Sequence, residues 1–155
     1  MLDLPPHHLS LAILQPQIAP NTGNIARLCV ATGSDLHLVR PLGFVLSDKQ
    51  LRRSAMDYWP RLKLTVHDST KQFFESLRQR CFWLFDSAGE KSIWDANFRD
   101  GGMLIFGSET RGIDPSILGE WPERTLRLPQ VPGERCLNLA TAAGAALYEA
   151  IRQSV

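Results

Sequence analysis

Three stretches of this 155-residue chain carry the residue types that do chemistry. The first is Pro20-Asn-Thr-Gly-Asn-Ile-Ala-Arg27. If it opens a helix, Asn24 and Arg27 are three apart and project together, opposite a stripe of Ile25, Leu28 and Cys29. That pair is either a solvated helix face or a polar couple aimed at a substrate. Arginine suits phosphate, because its planar fork of donors is permanently charged. The second stretch is Leu104-Ile-Phe-Gly-Ser-Glu-Thr-Arg-Gly-Ile113, an apolar strand ending at Gly107 and a tight loop presenting Glu109 and Arg111. Gly107 would let a ligand approach the backbone closely; the alternative is a plain loop with an exposed ion pair. The third is Leu128-Pro-Gln-Val-Pro-Gly-Glu-Arg-Cys-Leu-Asn138, a loop stiffened by two prolines that feeds a helix of Ala and Gly. Asn138 is a natural N-cap for that helix. Tyr148 lies at the edge of its apolar stripe and either packs or offers an aromatic face to a base.

Other chemistries lack their residues. No G-x-G-x-x-G or P-loop follows a strand, and no G-x-S-x-G elbow is present. Nucleotide-triphosphate and serine-hydrolase readings are therefore unsupported. The four histidines show no metal-ligand spacing, so no metal is expected. Cys29, Cys81 and Cys136, odd in number and far apart, make neither a disulfide frame nor a zinc site. They read as reduced thiols of a cytoplasmic protein.

The elements that must position these stretches alternate. Strands are expected at Leu9–Leu14, 36–39, 62–66 (weak), 81–85, 103–106 and 126–128. Asn21 is expected to cap a helix to Thr32, stopped by Gly33. Ser47 and Gln50 make a capping box for a short helix carrying Leu51, Arg52, Arg53 and Ala55. Asp68 should cap a helix to Gln79 with Phe73, Phe74 and Leu77 inward. Asp114-Pro115 starts a short helix. The closing helix, 138–153, places Ala140, Ala143, Gly144, Leu147 and Ile151 on one stripe. The alternation predicts one α/β domain over 1–155, with a mostly parallel sheet covered by helices on both faces. A ligand would sit at the carboxyl ends of its strands.

Composition agrees. With 44% hydrophobic and 21% charged residues, the chain has the makings of a core and is not of the disordered class. No apolar run approaches the ~18 residues of a membrane span. The start of the chain has no basic segment ahead of its six-residue apolar run, so no secretory signal is expected. The net charge of +1 hides an asymmetry. Residues 40–63 hold six Lys/Arg and two acids (6 − 2 = +4), and residues 86–123 hold three Lys/Arg and eight acids (3 − 8 = −5). The basic region is either an uneven surface or a phosphate-contacting patch.

Taken together and in order, the three stretches resemble the SPOUT RNA methyltransferases. The likeness extends over most of the chain, including Lys49-Gln-Leu-Arg-Arg-Ser-Ala-Met-Asp-Tyr58. It is nearest the minimal YibK-like (TrmL) branch, since no room for an extra RNA-binding domain remains before Leu9. The resemblance implies an enzyme that methylates the ribose 2′-hydroxyl of the wobble nucleotide, cytidine or uridine 34, in the tRNA anticodon loop. It implies S-adenosylmethionine as methyl donor, a C-terminal deep trefoil knot in place of an unknotted sheet, and a homodimer with shared active sites. It places cofactor contacts at Leu84, Gly107, Leu128 and Cys136, with Leu137 nearby. It gives Arg27 a base-like role. Because arginine is effectively never deprotonated, Arg27 with Asn24 is better read as orienting the ribose and neutralising the adjacent phosphate. Arg52, Arg53 and Arg111 would contact tRNA phosphates, Tyr148 the nucleotide, and Glu109 and Asn138 would order the loops. The chain departs from the family pattern at Cys136, where Ser is frequent, and at Ala140-Thr141, where Ser-Asn is frequent. Alternative readings are methylation of another tRNA position or of rRNA, an RNA-binding module without chemistry, and a flavodoxin-like protein.

Overall fold

The structure is a computed structural model that describes residues 3–47, 49, 51, 53, 56–77 and 79–155. The expected capping box depends on Gln50, and its helix on Arg52 and Ala55; these three lie outside the described residues.

The elements are β1 (Leu9–Leu14), α1 (Ala19–Thr32), β2 (Asp35–Val39), β3 (Leu64–His67), α2 (Thr70–Ser76), β4 (Phe82–Phe85) and β5 (Lys91–Ser92). There follow β6 (Gly102–Phe106), α3 (Pro115–Glu120), β7 (Thr125–Arg127) and α4 (Leu139–Arg152). The strands form one sheet in the order β3-β2-β1-β6-β4-β7-β5, and every pairing is parallel. The strand order turns back beside β1, which puts a crevice at the carboxyl ends of the central strands.

Both faces are apolar, as a parallel sheet requires. Leu11, Ile13, Leu36, Leu38, Leu104 and Phe106 face one cluster, which α1 closes with Ile25 and Cys29 and α4 with Ala143, Ala146, Leu147 and Ala150. Ala12, Leu14, Val39, Leu84, Met103 and Ile105 face the other, closed by Phe73 and Leu77. Burial pushes the Cys29 thiol up to about 12, so it is inert packing.

Several boundaries move for local reasons. Helix α1 begins at Ala19 with Pro20 in its first turn, so Asn21 lies inside the helix and is not its cap. Gly33 ends α1 in the left-handed conformation (φ 72°), as expected. Ser69, not Asp68, caps α2, its hydroxyl accepting from Gln72 N, and the helix stops at Ser76. Asp114 and Asn138 cap α3 and α4 as expected. On the α4 stripe Ala140 and Gly144 are only half-buried, and Ala146 and Ala150 complete the buried face. The two-residue strand β5 was not foreseen; nothing in Lys91-Ser92 signals a strand.

One polar pair sits against the second cluster. His37 Nδ1 and His67 Nε2 are 2.9 Å apart, and the His67 ring meets Phe73 edge-on. Burial, then the neighbouring His67 and Arg80, lowers the His37 pKa to about 4, with Asp35 opposing; burial also lowers that of His67, against Asp68. The unfolded chain therefore binds more protons than the folded one between the ordinary value of 6.5 and about 4. Stability should be flat above pH 6.5 and fall as the pH drops through that window. Denaturant midpoints measured from pH 7.5 to 4.5 should show the fall, and the His37→Gln variant should show a shallower slope between pH 6.5 and 5.

Candidate active site

A cavity of about 500 Å3 opens at the carboxyl ends of β4, β6 and β7. Its walls come from Phe85 and Asp86, from the loop 106–112, and from Leu126, Leu128 and the segment 136–139. The loop after β6 is folded tightly on itself. Gly112 N donates to Ser108 O at 2.9 Å, and Arg111 N donates to Ser108 Oγ at 3.3 Å. Asp86 braces it from just past the end of β4, its Oδ2 accepting from Ile113 N at 3.0 Å. No room exists for a side chain at position 107: a Cβ there would fall onto the backbone of Gly112 and Ile113.

One hydrogen-bond network ties the three stretches together. Glu109 Oε2 accepts from Gln17 N at 2.8 Å and Oε1 from Ile18 N at 3.0 Å, so its carboxylate caps the otherwise uncapped start of α1. That is also where a helix favours negative charge. Asn21 Nδ2 reaches Glu109 Oε1 at 3.5 Å, and Asn21 Oδ1 accepts from Asn138 Nδ2 at 3.0 Å. Asn138 Oδ1 accepts in turn from Ala140 N and Thr141 N. These last bonds are made by backbone, so the Ala140-Thr141 departure leaves them in place. Gln17 Oε1 accepts from Thr110 N and Oγ1, adding a second strap. Replacing Glu109 with Gln should leave one backbone N–H facing an amide donor and cost about 1–2 kcal/mol of stability. Chemical denaturation should show the loss, and hydrogen exchange should quicken at Gln17 and Ile18.

The expected residues divide into two groups. Gly107, Glu109, Arg111, Leu128, Cys136, Leu137 and Asn138 all line the cavity. Leu84 does not: it is fully buried in the opposite face of the sheet, and Phe85 and Asp86, the next two residues, reach the cavity instead. Asn24 and Arg27 are exposed on α1 and do not line the cavity. Tyr148 is 52% exposed on α4, also off the cavity. Arg53 is exposed, and Arg52 lies outside the described residues. Sequence reading missed Asp86 and Gln17. Asp86 had a weak signal, an acid just past a strand end; Gln17 had none, because its partner Thr110 is 93 residues away.

A second hollow of about 460 Å3 adjoins the first across Ser108, Arg111 and Gly112. Gln15, Gln17, Leu42 and Asp114 are among its walls. Gln15 closes β1 in the left-handed region (φ 47°), a conformation that non-glycine residues rarely adopt. Among the described residues no three His, Cys, Asp or Glu side chains converge as a metal site.

An all-parallel α/β sheet with a ligand-sized cavity at its strand ends, braced by loops from three separated segments, is the architecture of α/β domains that bind small molecules at that edge. The sequence matches the SpoU rRNA methylase family over residues 8–148, and the chain belongs to that family. It is 42% identical over 144 residues to the tRNA (cytidine(34)-2′-O)-methyltransferase of Methylovorus glucosotrophus, covering 92% of this chain and 94% of that protein. It is 40% identical over 146 residues to the protein of the same name in Escherichia coli K12, covering 94% and 93%. A solved structure on the 2-OH methylation of C/U34 on tRNA superposes with a TM-score of 0.90 at 47% identity, covering 95% of this chain and 96% of that one. The SpoU methyltransferase AviRb of Streptomyces viridochromogenes, solved with the cofactor AdoMet, gives 0.83 at 25% identity, covering 99% of this chain and 61% of that one.

Proposed function

We propose that this protein is a methyltransferase that transfers a methyl group from S-adenosylmethionine to the ribose 2′-hydroxyl of nucleotide 34, cytidine or uridine, in tRNA. The observation that carries this reading is the Glu109–Asn21–Asn138 network, which gathers the three stretches at one cavity in a chain of the SpoU family. Relatives named for that reaction cover nearly all of the chain.

The cavity suits the cofactor. Its volume lies within the roughly 300–1,000 Å3 of ligand pockets. Leu128 and Leu137 supply apolar walls, Gly107 leaves the backbone bare, and Cys136 offers its backbone whether Ser or Cys stands there. Leu84 contributes from behind, by fixing the strand that presents Phe85. When bound, the cofactor supplies an electrophilic methyl on a sulfonium centre. The protein's task is then mainly to position the hydroxyl. Arg27 and Asn24 orient the ribose, and Arg27 neutralises the adjacent phosphate, which favours loss of the hydroxyl proton. Arg52, Arg53 and Arg111 meet tRNA phosphates, and Tyr148 meets the nucleotide. Glu109 and Asn138 hold the loops in place.

Arg27 and Tyr148 are exposed and do not line their own chain's cavity, which supports a homodimer whose sites combine residues of two copies. Half-buried Gly144, exposed Ala145 and exposed Tyr148 on α4 leave a face suited to close helix packing. The reading further includes one domain over 1–155, a C-terminal trefoil knot and a cytoplasmic setting. For the knot, the support is that the chain runs from β7 along the cavity before α4 packs back on α1 and β1, with Gln153 tied to Ala96 and Phe98. Among the described residues no helix is long and apolar enough to cross a membrane.

The test is methyl transfer from labelled S-adenosylmethionine to total tRNA lacking its wobble ribose methylation, followed by alkaline digestion. A 2′-O-methyl blocks attack on the neighbouring phosphate, so label should appear in alkali-resistant dinucleotides containing residue 34. Label in mononucleotides would mean base methylation and would overturn the reading.

A further inference from the structure

We propose that Tyr58 is a positioning residue that holds Arg27, and that Arg61, gathered over the same ring, completes a two-guanidinium grip on an RNA phosphodiester. The inference rests on the role given to Arg27 above and adds two residues to it. The Arg27 guanidinium carbon lies 5.1 Å from the centroid of the Tyr58 ring, and that of Arg61 lies 5.2 Å from it. Both distances fall within the cation–π range. Tyr58 and Arg61 share a 3-10 turn, Met56–Arg61, that packs against α1, whereas Arg27 belongs to α1 itself. The turn thus brings the basic region 40–63 to the one arginine of the first stretch.

Physical economy favours an anion as the occupant. Two like charges brought to one ring repel each other, and each arginine gives up side-chain freedom to be there. Among the described residues no carboxylate forms an ion pair with either, although exposed Asp57 shares the turn. Tyr58 is half-buried, and both guanidinium-bearing residues are exposed. The ring therefore orders two forks, both on residues open to solvent. A phosphodiester, singly charged and with two non-bridging oxygens able to accept from the forks, is the ligand class this arrangement recognises.

The experiment compares the full-length protein with Tyr58→Leu, Tyr58→Phe and Arg61→Gln. Three quantities are read: tRNA affinity against salt, the kcat and KM of methyl transfer, and S-adenosylmethionine affinity. Tyr58→Leu should lower kcat about three- to fivefold, the size of one exposed cation–π contact, with cofactor affinity unchanged. Tyr58→Phe, which keeps the ring face, should recover most of that loss. Arg61→Gln should raise KM for tRNA and reduce the slope of log affinity on log salt by about one. The proposal is overturned if Tyr58→Leu keeps the full kcat, if Phe is as impaired as Leu, or if Arg61→Gln leaves the salt slope unchanged. Failure of the wobble-methylation reading looks different: the unaltered protein would yield no alkali-resistant dinucleotide. The salt slopes still judge the phosphate grip in that case.

Discussion

Arg27→Ala should lower methyl transfer to tRNA by about 10²–10³-fold, the usual effect of removing one charge-stabilising group, while S-adenosylmethionine binds as before. The two halves of this expectation come from the same geometry. Arg27 is exposed on α1, so its truncation opens no core cavity. It does not line the cavity where the cofactor is proposed to sit, so it removes no contact there. What it removes is a fixed positive charge presented from α1 and steadied by Tyr58. Arg27→Lys should recover only part of the loss, because a lysine keeps the charge without the planar fork. Single-turnover transfer at saturating cofactor, paired with calorimetric cofactor binding, separates the outcomes. A fully active alanine variant would remove Arg27 from the mechanism. Loss of cofactor binding would place it in the cavity instead.

The parallel sheet and both helix layers were legible because each element carries its own period. Leu9–Leu14 is apolar at every position, as a strand buried on both faces must be, and α4 repeats its apolar residues at helical spacing. What the period cannot tell is which face a residue serves when both are apolar. Leu84 pairs with Ile105 and Phe85 with Phe106, so the pleat sends Leu84 into the second cluster and Phe85 to the cavity side. The rings of Phe85 and Phe106 stack at 4.8 Å to form that wall. Helix caps show a different limit. Asn21 and Asn138 both precede apolar helical runs, yet only Asn138 caps. Pro20 starts α1 earlier, and the freed Asn21 side chain is recruited by Asn138 across 117 residues. The cap of α1 comes instead from Glu109, more than ninety residues away, a partnership with no local trace. Local chemistry singled out Glu109 and Asn138; the pairing that joins them through Asn21 spans some ninety residues and more, beyond the reach of any local pattern.

Gly107→Ala is expected to be the most damaging single-atom change in the protein. Gly107 ends β6 where the loop doubles back, and an added Cβ would overlap the Gly112 carbonyl and the Ile113 amide nitrogen. Those are backbone atoms and cannot rotate aside as a side chain would. The loop would have to open, straining the Ser108–Gly112 bond, the Asp86 brace on Ile113 and the Glu109 cap on α1 together. Overpacking of this kind costs about 3 kcal/mol. For a chain of this length that corresponds to a melting temperature lower by roughly 6–12 °C. Because the same loop walls the cavity, affinity for S-adenosylmethionine should fall by about tenfold or more, the equivalent of at least 1.4 kcal/mol. Gly119→Ala is the matched control: it lies in α3, and its added Cβ meets nothing within 4 Å. That change should be neutral or stabilising by up to about 1 kcal/mol. Thermal unfolding and calorimetric titration of both variants test the pair. A Gly107→Ala protein that melts and binds like the original would mean that the loop yields freely, and the tight turn would then not be what shapes the cavity.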